Sequence, residues 1–202
     1  TTTDGDELNA DPDLRPNIVN CSWGDGDGSL PKPYNDWFQN AIDSWQAAGI
    51  YPVFSAGNGP TGTTQSCGTV GNPARYGNVT AVGATSQSGG AYASYSVRGP
   101  SDRADTINPS GYPYLKPQVV APGTDIVSAY RGSDTELKSL PGTSMAAPHV
   151  AGLIALMWQA APCLIGDYAT TENLLEQTAT AITTGLPGSC TTDPSGLYPN
   201  NS

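Results

Sequence analysis

The chain has 202 residues, of which 37% are hydrophobic and only 13% are charged. This length fits one domain with a proper core, and the 24 glycines and 18 prolines predict many loops and turns. The formal net charge of −10 disfavours nucleic acid and anionic membranes as partners, because like charges repel. No apolar run in the sequence reaches the length of a membrane span.

The first half of the sequence predicts a strand, a helix and a second strand. Residues Asn17 to Trp23 have the composition of a strand, and a glycine-rich loop follows them. From Tyr34 to Ala48 the apolar residues recur at helical spacing, and Gly49 suits the end of that helix. Ile50 to Ala56 predicts the next strand. The short connections indicate a βαβ unit with parallel strands and a right-handed crossover.

The second half of the sequence adds further strands and two helices. Helices are predicted at Ser144–Gln159 and near Thr171–Ala179, and the first is apolar on almost every face, which predicts a place inside the core. The extended segments are Val79–Ala84, Pro117–Gly123 and Asp125–Ala129. Neither a repeat nor a linker divides the chain, so residues 1–202 are predicted to form one α/β domain with a mainly parallel sheet. The Gly-, Pro- and Thr-rich tail over 181–202 is expected on the surface.

The four cysteines predict disulfides and an oxidising compartment. No pair has the CxxC spacing of a zinc site, and an even count in a lysine-poor chain is typical of secreted proteins. Three pairings are open, and the sequence favours Cys21–Cys67 and Cys163–Cys190. The chain opens with three threonines and has neither an initiator methionine nor a signal peptide, as a processed product does.

A serine stands at the start of the apolar helix. There its hydroxyl lies beside unpaired backbone N–H groups and the positive end of the helix dipole, where a nucleophile and a developing oxyanion are stabilised. The unbroken run Gly142-Thr-Ser-Met-Ala-Ala-Pro-His149 resembles the nucleophile motif of the subtilisin-like serine peptidases. A serine N-cap on a buried helix is the alternative for a lone serine, but the complete motif favours Ser144 as nucleophile.

The resemblance extends to an oxyanion hole and a substrate cleft. Asn58, in a Ser-Ala-Gly-Asn run after a predicted strand, matches the family asparagine whose side-chain N–H points at the oxyanion. The backbone of Ser22-Trp23-Gly24 is implied to pair with an extended polypeptide substrate. The residues implied to line the pocket for the side chain before the scissile bond are Ser22, Trp23, Gly24, Ala56, Gly57 and, at its end, Gly71.

Other family features follow from the same resemblance. A glycine at 71 is expected to leave room for a large apolar or aromatic side chain, and Asn72-Pro73 matches a cis-proline turn. Thr143 and His149 are implied to support the nucleophile without contacting substrate. No cofactor is required, and acidic residues at Asp4–Glu7 or at Asp25 and Asp27 are the candidates for a structural calcium site, although none forms an EF-hand.

The family's catalytic aspartate and histidine blocks are not in this sequence. The single histidine, His149, lies five residues after Ser144, about 140° around the helix, so it cannot share a hydrogen bond with that hydroxyl. The isolated chain is therefore expected to be nearly inactive. The sedolisin family fits less well, because Pro141 stands where its motif has a serine. The α/β-hydrolase family fits less well, because it needs a histidine after the nucleophile helix and none follows here.

Two accounts of the missing groups stay open. In the first, this is the C-terminal portion of a three-layer subtilisin-like fold, lacking the N-terminal strands that carry the aspartate and histidine. In the second, it is an inactive homologue that acts as a binding module. The resemblance covers roughly Pro16 to Thr180 and is strongest to the bacillopeptidase F branch of the family. A parallel sheet without its first strands has an open edge and a half-exposed central helix, so the N-terminal fragment or a second copy is expected as partner.

Overall fold

The helices and strands follow the predicted order, with small shifts at their ends. A computed structural model describes residues 12–27, 35–62, 65–86, 90–101 and 115–182. The elements in chain order are β1 (Ile18–Cys21), α1 (Gln39–Ala47), β2 (Tyr51–Ser55), β3 (Thr80–Thr85), β4 (Val119–Pro122), β5 (Ile126–Ala129), β6 (Leu137–Leu140), α2 (Thr143–Ala160) and α3 (Tyr168–Thr178). Short 3-10 helices lie at Pro12–Leu14 and Pro162–Leu164. The predicted tail from residue 183 lies outside the described residues.

Four parallel strands form the main sheet in the order β1-β2-β3-β4. The βαβ prediction is confirmed, since β1 and β2 are parallel neighbours with Cys21 opposite Phe54. The remaining strands, β5 and β6, form a separate antiparallel pair. The sequence did not predict β6, because Leu-Lys-Ser-Leu contains none of the β-branched or aromatic residues that favour strands.

The sheet is covered by a different helix layer on each face. On one face Ile42 of α1 packs in a cluster with Phe54 and Ala81. On the other face Ile154 of α2 packs in a cluster with Val53 and Val82, and α3 adds Leu175 to it. The arrangement is the predicted three-layer α/β fold with a mainly parallel sheet.

Helix α2 is buried on one side only. Ala146, Ala147 and Ile154 are fully buried against the sheet, whereas Leu153 is 48% and Leu156 is 63% exposed. A cavity of about 610 Å³ opens beside this exposed side and is lined by Leu153, Val120 and Leu175, among others. The predicted place inside the core therefore holds for one side of this helix only, among the described residues. The half-exposed helix expected when N-terminal strands are lacking is what the structure contains.

The predicted disulfide pairs are wrong. Cys21 is a buried free thiol and Cys163 an exposed one, so neither Cys21–Cys67 nor Cys163–Cys190 forms. The side chain of Cys21 packs in the apolar cluster on the α1 face, and burial raises the pKa of its thiol to about 11. Cys67 is disulfide-bonded, but not to Cys21, and Cys190 lies outside the described residues.

Buried polar groups join the beginnings of β3 and β4 to α3. The Lys116 Nζ and the Gln118 Nε2 both donate to the Val79 carbonyl, at 2.7 and 3.0 Å. Gln118 Nε2 also donates to the Glu172 carboxylate at 2.6 Å. Burial lowers the pKa of Lys116 to about 8, although the nearby Glu172 favours its charged form. Burial raises the pKa of the Glu172 carboxyl, and Lys116 and Gln118 act in the opposite direction, toward a lower pKa.

In the described part of the chain, no helix has the length and hydropathy of a membrane span.

Ile154→Ala and Leu156→Ala separate the two sides of α2. We expect Ile154→Ala to lower the free energy of unfolding by roughly 2–5 kcal/mol, because it leaves a cavity in the core. Leu156→Ala, on the exposed side of the same helix, should change it by less than about 0.5 kcal/mol. Urea unfolding followed by tryptophan fluorescence measures both. An equal loss in the two variants would show that the outer side is covered in solution.

Lys116 should make stability depend on pH in the mildly alkaline range. Above its folded pKa of about 8 and below its usual 10.5, only the unfolded chain holds this proton, so stability rises with pH. We expect a gain of about 1 kcal/mol in the free energy of unfolding between roughly pH 8 and 9. The Lys116→Met variant should lose this gain, while Lys138→Met, at an exposed site in β6, should keep it. If Lys116→Met kept the same gain in stability between these pH values, the gain would not arise from the lowered pKa of Lys116.

Candidate active site

The N-terminus of α2 is capped by a side chain from another element. The N-cap residue Gly142 has φ of 149°, a conformation that L side chains rarely adopt, and it has no side chain to cap the helix. Asn58, which follows β2, supplies the acceptor instead: its Oδ1 accepts from the Thr143 N–H at 2.8 Å and from the Thr143 hydroxyl at 3.1 Å. The Gly57 N–H donates in turn to the Thr143 hydroxyl at 3.2 Å. Residues 57 and 58 are thereby fixed against the start of α2.

The two predicted oxyanion donors both lie close to Gly142. Because Oδ1 of Asn58 points at the helix N-terminus, its Nδ2 is left on the other side of the carboxamide. This Nδ2 and the backbone N of Ser144 each lie 3.6 Å from the point that a Cβ on Gly142 would occupy. The structure thus brings Ser144 and Asn58 together, as the sequence motifs predict.

Ser144 is tied to the end of β1 by two hydrogen bonds. Pro148 has no N–H to donate, so the Ser144 carbonyl lacks its helical partner. The Ser22 hydroxyl donates to this carbonyl at 2.8 Å. The Ser144 hydroxyl donates to the Ser22 carbonyl at 3.2 Å, and the Asn20 amide supports the Ser22 hydroxyl at 3.0 Å. The interruption at Pro148 therefore positions the segment that the resemblance assigns to substrate binding.

His149 is not placed to act on Ser144. Its Nδ1 lies 2.8 Å from the Met145 carbonyl, and a carbonyl only accepts, so Nδ1 carries the proton of this bond. The side chain is exposed on α2. Within the described part of the chain, the Ser144 hydroxyl has no histidine or carboxylate as hydrogen-bond partner.

The predicted pocket residues meet backbone to backbone. A Cβ on Gly71 would lie 2.7 Å from the Asp25 carboxylate and in direct collision with the backbone N of Gly26. A Cβ on Gly57 would lie 2.5 Å from the Gly26 carbonyl oxygen, and one on Gly26 would lie 2.8 Å from the Ala56 carbonyl oxygen. The room expected beside Gly71 for a large side chain is therefore absent, because the chain itself fills it.

Asp25 and Asn72 close the same end of the cleft. The Asn72 N–H and Nδ2 donate to the two Asp25 carboxylate oxygens, at 2.5 and 3.0 Å, and the Asp25 N–H donates to the Asn72 carbonyl at 3.1 Å. The Asn72-Pro73 peptide bond is cis, as predicted. Both oxygens of Asp25 are thus bound to Asn72, and no group of three or more metal-ligating side chains occurs among the described residues. The acidic run Asp4–Glu7 lies outside them.

Trp23 and Gly24 follow Ser22 along one side of the cleft. The Trp23 ring packs against Phe38 and Phe54, with ring centroids 5.1 and 5.4 Å apart, and remains 46% exposed. A Cβ on Gly24 would lie 3.0 Å from the Asn72 carbonyl oxygen. Sequence reasoning missed the roles of Asp25 and Gly26, which match no motif. The run of alternating glycines from Gly24 to Gly28 was the signal for a close backbone approach.

Comparison with protein families and with known proteins gives one consistent result. The Subtilase family model, Peptidase_S8, matches residues 3–195. Bacillopeptidase F of Bacillus subtilis strain 168 is 37% identical over 177 residues, which are 88% of this chain and 11% of that protein. Subtilisin DY of Bacillus licheniformis is 36% identical over 163 residues, 81% of this chain and 49% of that protein. The chain thus spans half or less of the length of these relatives.

Solved structures of similar fold agree. Sphericase superposes with a TM-score of 0.64 at 27% identity, covering 83% of this chain and 50% of its own. The S41 psychrophilic protease superposes with a TM-score of 0.62 and covers the same shares of the two chains.

A further relative by sequence is an extracellular protease of Xanthomonas campestris pv. campestris, which is 37% identical over 194 residues, 28% of its length.

Substitutions of Asn58 should separate the contribution of its side-chain oxygen, an acceptor, from that of its side-chain nitrogen, a donor. Asn58→Ala removes the cap on α2, and we expect it to lower the free energy of unfolding by about 0.5–2 kcal/mol. Asn58→Asp keeps an acceptor and places negative charge at a helix N-terminus, so it should stay within about 0.5 kcal/mol of the parent chain. Chemical denaturation of the three proteins tests this. Equal losses in both variants would mean that the cap is not what Asn58 contributes.

Proposed function

Because this chain belongs to the subtilase family, we propose that it is the C-terminal portion of the catalytic domain of a serine endopeptidase that cleaves polypeptides by acyl-enzyme chemistry. One observation carries the proposal: the Asn58 Nδ2 and the Ser144 N lie at equal distance from one point, at the start of a helix whose first turn holds the Ser144 hydroxyl. Two donors near one hydroxyl support the proposal, because stabilisation of a tetrahedral intermediate needs such donors.

Each chemical step has a group assigned to it. The Ser144 oxygen attacks the scissile carbonyl and gives its proton to a general base, and the carbonyl oxygen becomes an oxyanion between the Ser144 N–H and the Asn58 Nδ2. When the intermediate collapses, the peptide C–N bond breaks and the amine takes the proton from that base. Water then gives a proton to the same base and attacks the ester carbonyl, and the bond from that carbonyl to the Ser144 oxygen breaks as this oxygen takes the proton back. All these groups are protein groups, so no cofactor takes part.

The base then belongs to a segment N-terminal to Thr1, which carries the aspartate and the histidine. Two features support such a partner: the outer side of α2 exposes Leu153 and Leu156, and in the described residues β1 has a strand neighbour only on the β2 side. An apolar helix side and an open strand edge both bind further protein. One relative is named an extracellular protease, and we propose the same location here.

A fluorophosphonate probe tests the assignment of Ser144. The serine oxygen displaces fluoride from phosphorus, and the hydroxyl proton passes to the base, so labelling reports an activated hydroxyl. We expect the chain alone to label at least a thousandfold more slowly than the chain combined with the segment encoded directly upstream of it, because loss of a triad histidine costs subtilisin, a relative, about 10⁶ in kcat. Intact-protein mass spectrometry and peptide mapping locate the label.

The matched control for labelling is Ser144→Ala, which should take up no label in either sample. In the combined sample Asn58→Asp should lower kcat for peptide hydrolysis by about 10²–10³, the loss known for such a donor in subtilisin, a relative. Absence of labelling in the combined sample, with peptide binding retained, would replace the peptidase by an inactive binding module.

A further inference from the structure

Asn58 is followed by Gly59, and this is the only Asn-Gly pair in the sequence. In such a pair the backbone nitrogen of the glycine can attack the carboxamide of the asparagine, because glycine has no Cβ to hinder the approach. Asparagine accordingly belongs to the thermolabile residues. Asn58 is exposed, so water reaches its side chain. The residue that caps α2 is thus also the asparagine whose neighbour hinders this attack least.

In the folded chain the groups that this reaction needs are held by other hydrogen bonds. The Asn58 Oδ1 accepts from the N–H and from the hydroxyl of Thr143, at 2.8 and 3.1 Å. The Gly59 N–H, whose nitrogen would attack, donates to the Tyr95 carbonyl at 2.8 Å. The Asn58 N–H donates to the Gly26 carbonyl at 2.9 Å. The reaction can therefore begin only after the carboxamide leaves the start of α2 and the Gly59 N–H leaves Tyr95.

We propose that Asn58 is a deamidation site which the fold protects, and that opening of its contact with the start of α2 permits the modification. The Gly59 nitrogen loses its proton to solvent and attacks the Asn58 Cγ. The Cγ–Nδ2 bond breaks, and Nδ2 leaves as ammonia with a proton taken from solvent. Water then opens the succinimide ring at either of its two carbonyl–nitrogen bonds, which yields aspartate or isoaspartate. The net reaction consumes one water and releases one ammonia, with no oxidant or reductant.

The modification removes the donor of Asn58 and keeps an acceptor. The aspartate product has no Nδ2, the atom that the proposed function assigns to the oxyanion, but its carboxylate still suits a helix N-terminus. The isoaspartate product places an extra carbon in the backbone before Gly59. Deamidation should therefore abolish the proposed catalysis while α2 stays capped in the aspartate product. The modification itself goes beyond the proposed function and does not depend on it; only its effect on catalysis does.

The first test compares the parent chain in its folded and unfolded states. Both samples are incubated at the same mildly alkaline pH, one in buffer and one in guanidinium chloride. Peptide mapping by mass spectrometry measures the conversion of Asn58, and an isoaspartate-specific methyltransferase assay identifies the rearranged product. We expect conversion to be at least about tenfold slower in the folded chain, because only its open fraction reacts. Equal rates in the two states would overturn the protection by the fold.

The second test opens the contact locally. Thr143→Val removes the hydroxyl that donates to the Asn58 Oδ1, and we expect it to speed conversion in the folded chain by at least about threefold. The matched control is Thr170→Val, which removes a hydroxyl from the first turn of α3, where it donates to Asp167 at 2.7 Å. This control should convert at the parent rate. Conversion of Thr143→Val at the parent rate, or equal acceleration in both variants, would show that opening at α2 does not control the reaction.

The consequence for catalysis is measured in the chain combined with its upstream segment. During incubation the fraction of kcat that is lost should equal the fraction of Asn58 that is converted. Conversion with an unchanged kcat would overturn the link between this modification and catalysis. Labelling of Ser144 decides the peptidase assignment separately, and peptide mapping of the chain alone decides the deamidation, so failure of either one is recognised by itself.

Discussion

The structure depends on the hydrogen bond between the Asn58 side chain and the start of α2. It joins the end of β2 to the nucleophile helix at 2.8 Å, across a glycine N-cap that cannot satisfy the helix by itself. Because the carboxamide has one oxygen and one nitrogen, use of the oxygen as a cap fixes where the nitrogen points. The same side chain thus caps the helix and carries the nitrogen that the proposed function assigns to the oxyanion.

Parallel strands make this junction possible. The carboxyl ends of β1 and β2 lie side by side in register, so the loops that follow them arrive at the same edge of the sheet. One loop brings Ser22 to the nucleophile, and the other brings Asn58 to the helix N-terminus. Pro148 adds a second constraint, because it leaves the Ser144 carbonyl available to the Ser22 hydroxyl. The cleft is assembled from backbone groups of three separate elements.

Two surfaces in the described part of the molecule lack a covering neighbour. The outer side of α2 exposes Leu153 and Leu156, and β1 pairs with a strand only on its β2 side. Gly26 lies against Gly57 and Gly71 at one end of the cleft. Among the described residues the Ser144 hydroxyl has a carbonyl as its hydrogen-bond partner, and the proposed function assigns its general base to a further segment of the protein.

The sequence alone determined the order of the elements and the parallel sheet, and it predicted Ser144 and Asn58 as the candidate nucleophile and oxyanion donor. These follow from local periodicity and from an unbroken motif, and both are properties of neighbouring residues. It could not determine the disulfides, because Cys21 packs into a cluster of residues that are distant in sequence. It predicted neither the hydrogen bonds of Asp25 to Asn72 nor the filled space beside Gly71, since both arise where a loop crosses residues more than forty positions away. Only the tertiary structure decided which face of the apolar helix is covered, because a helix that is apolar all round does not specify which of its sides will find a neighbour.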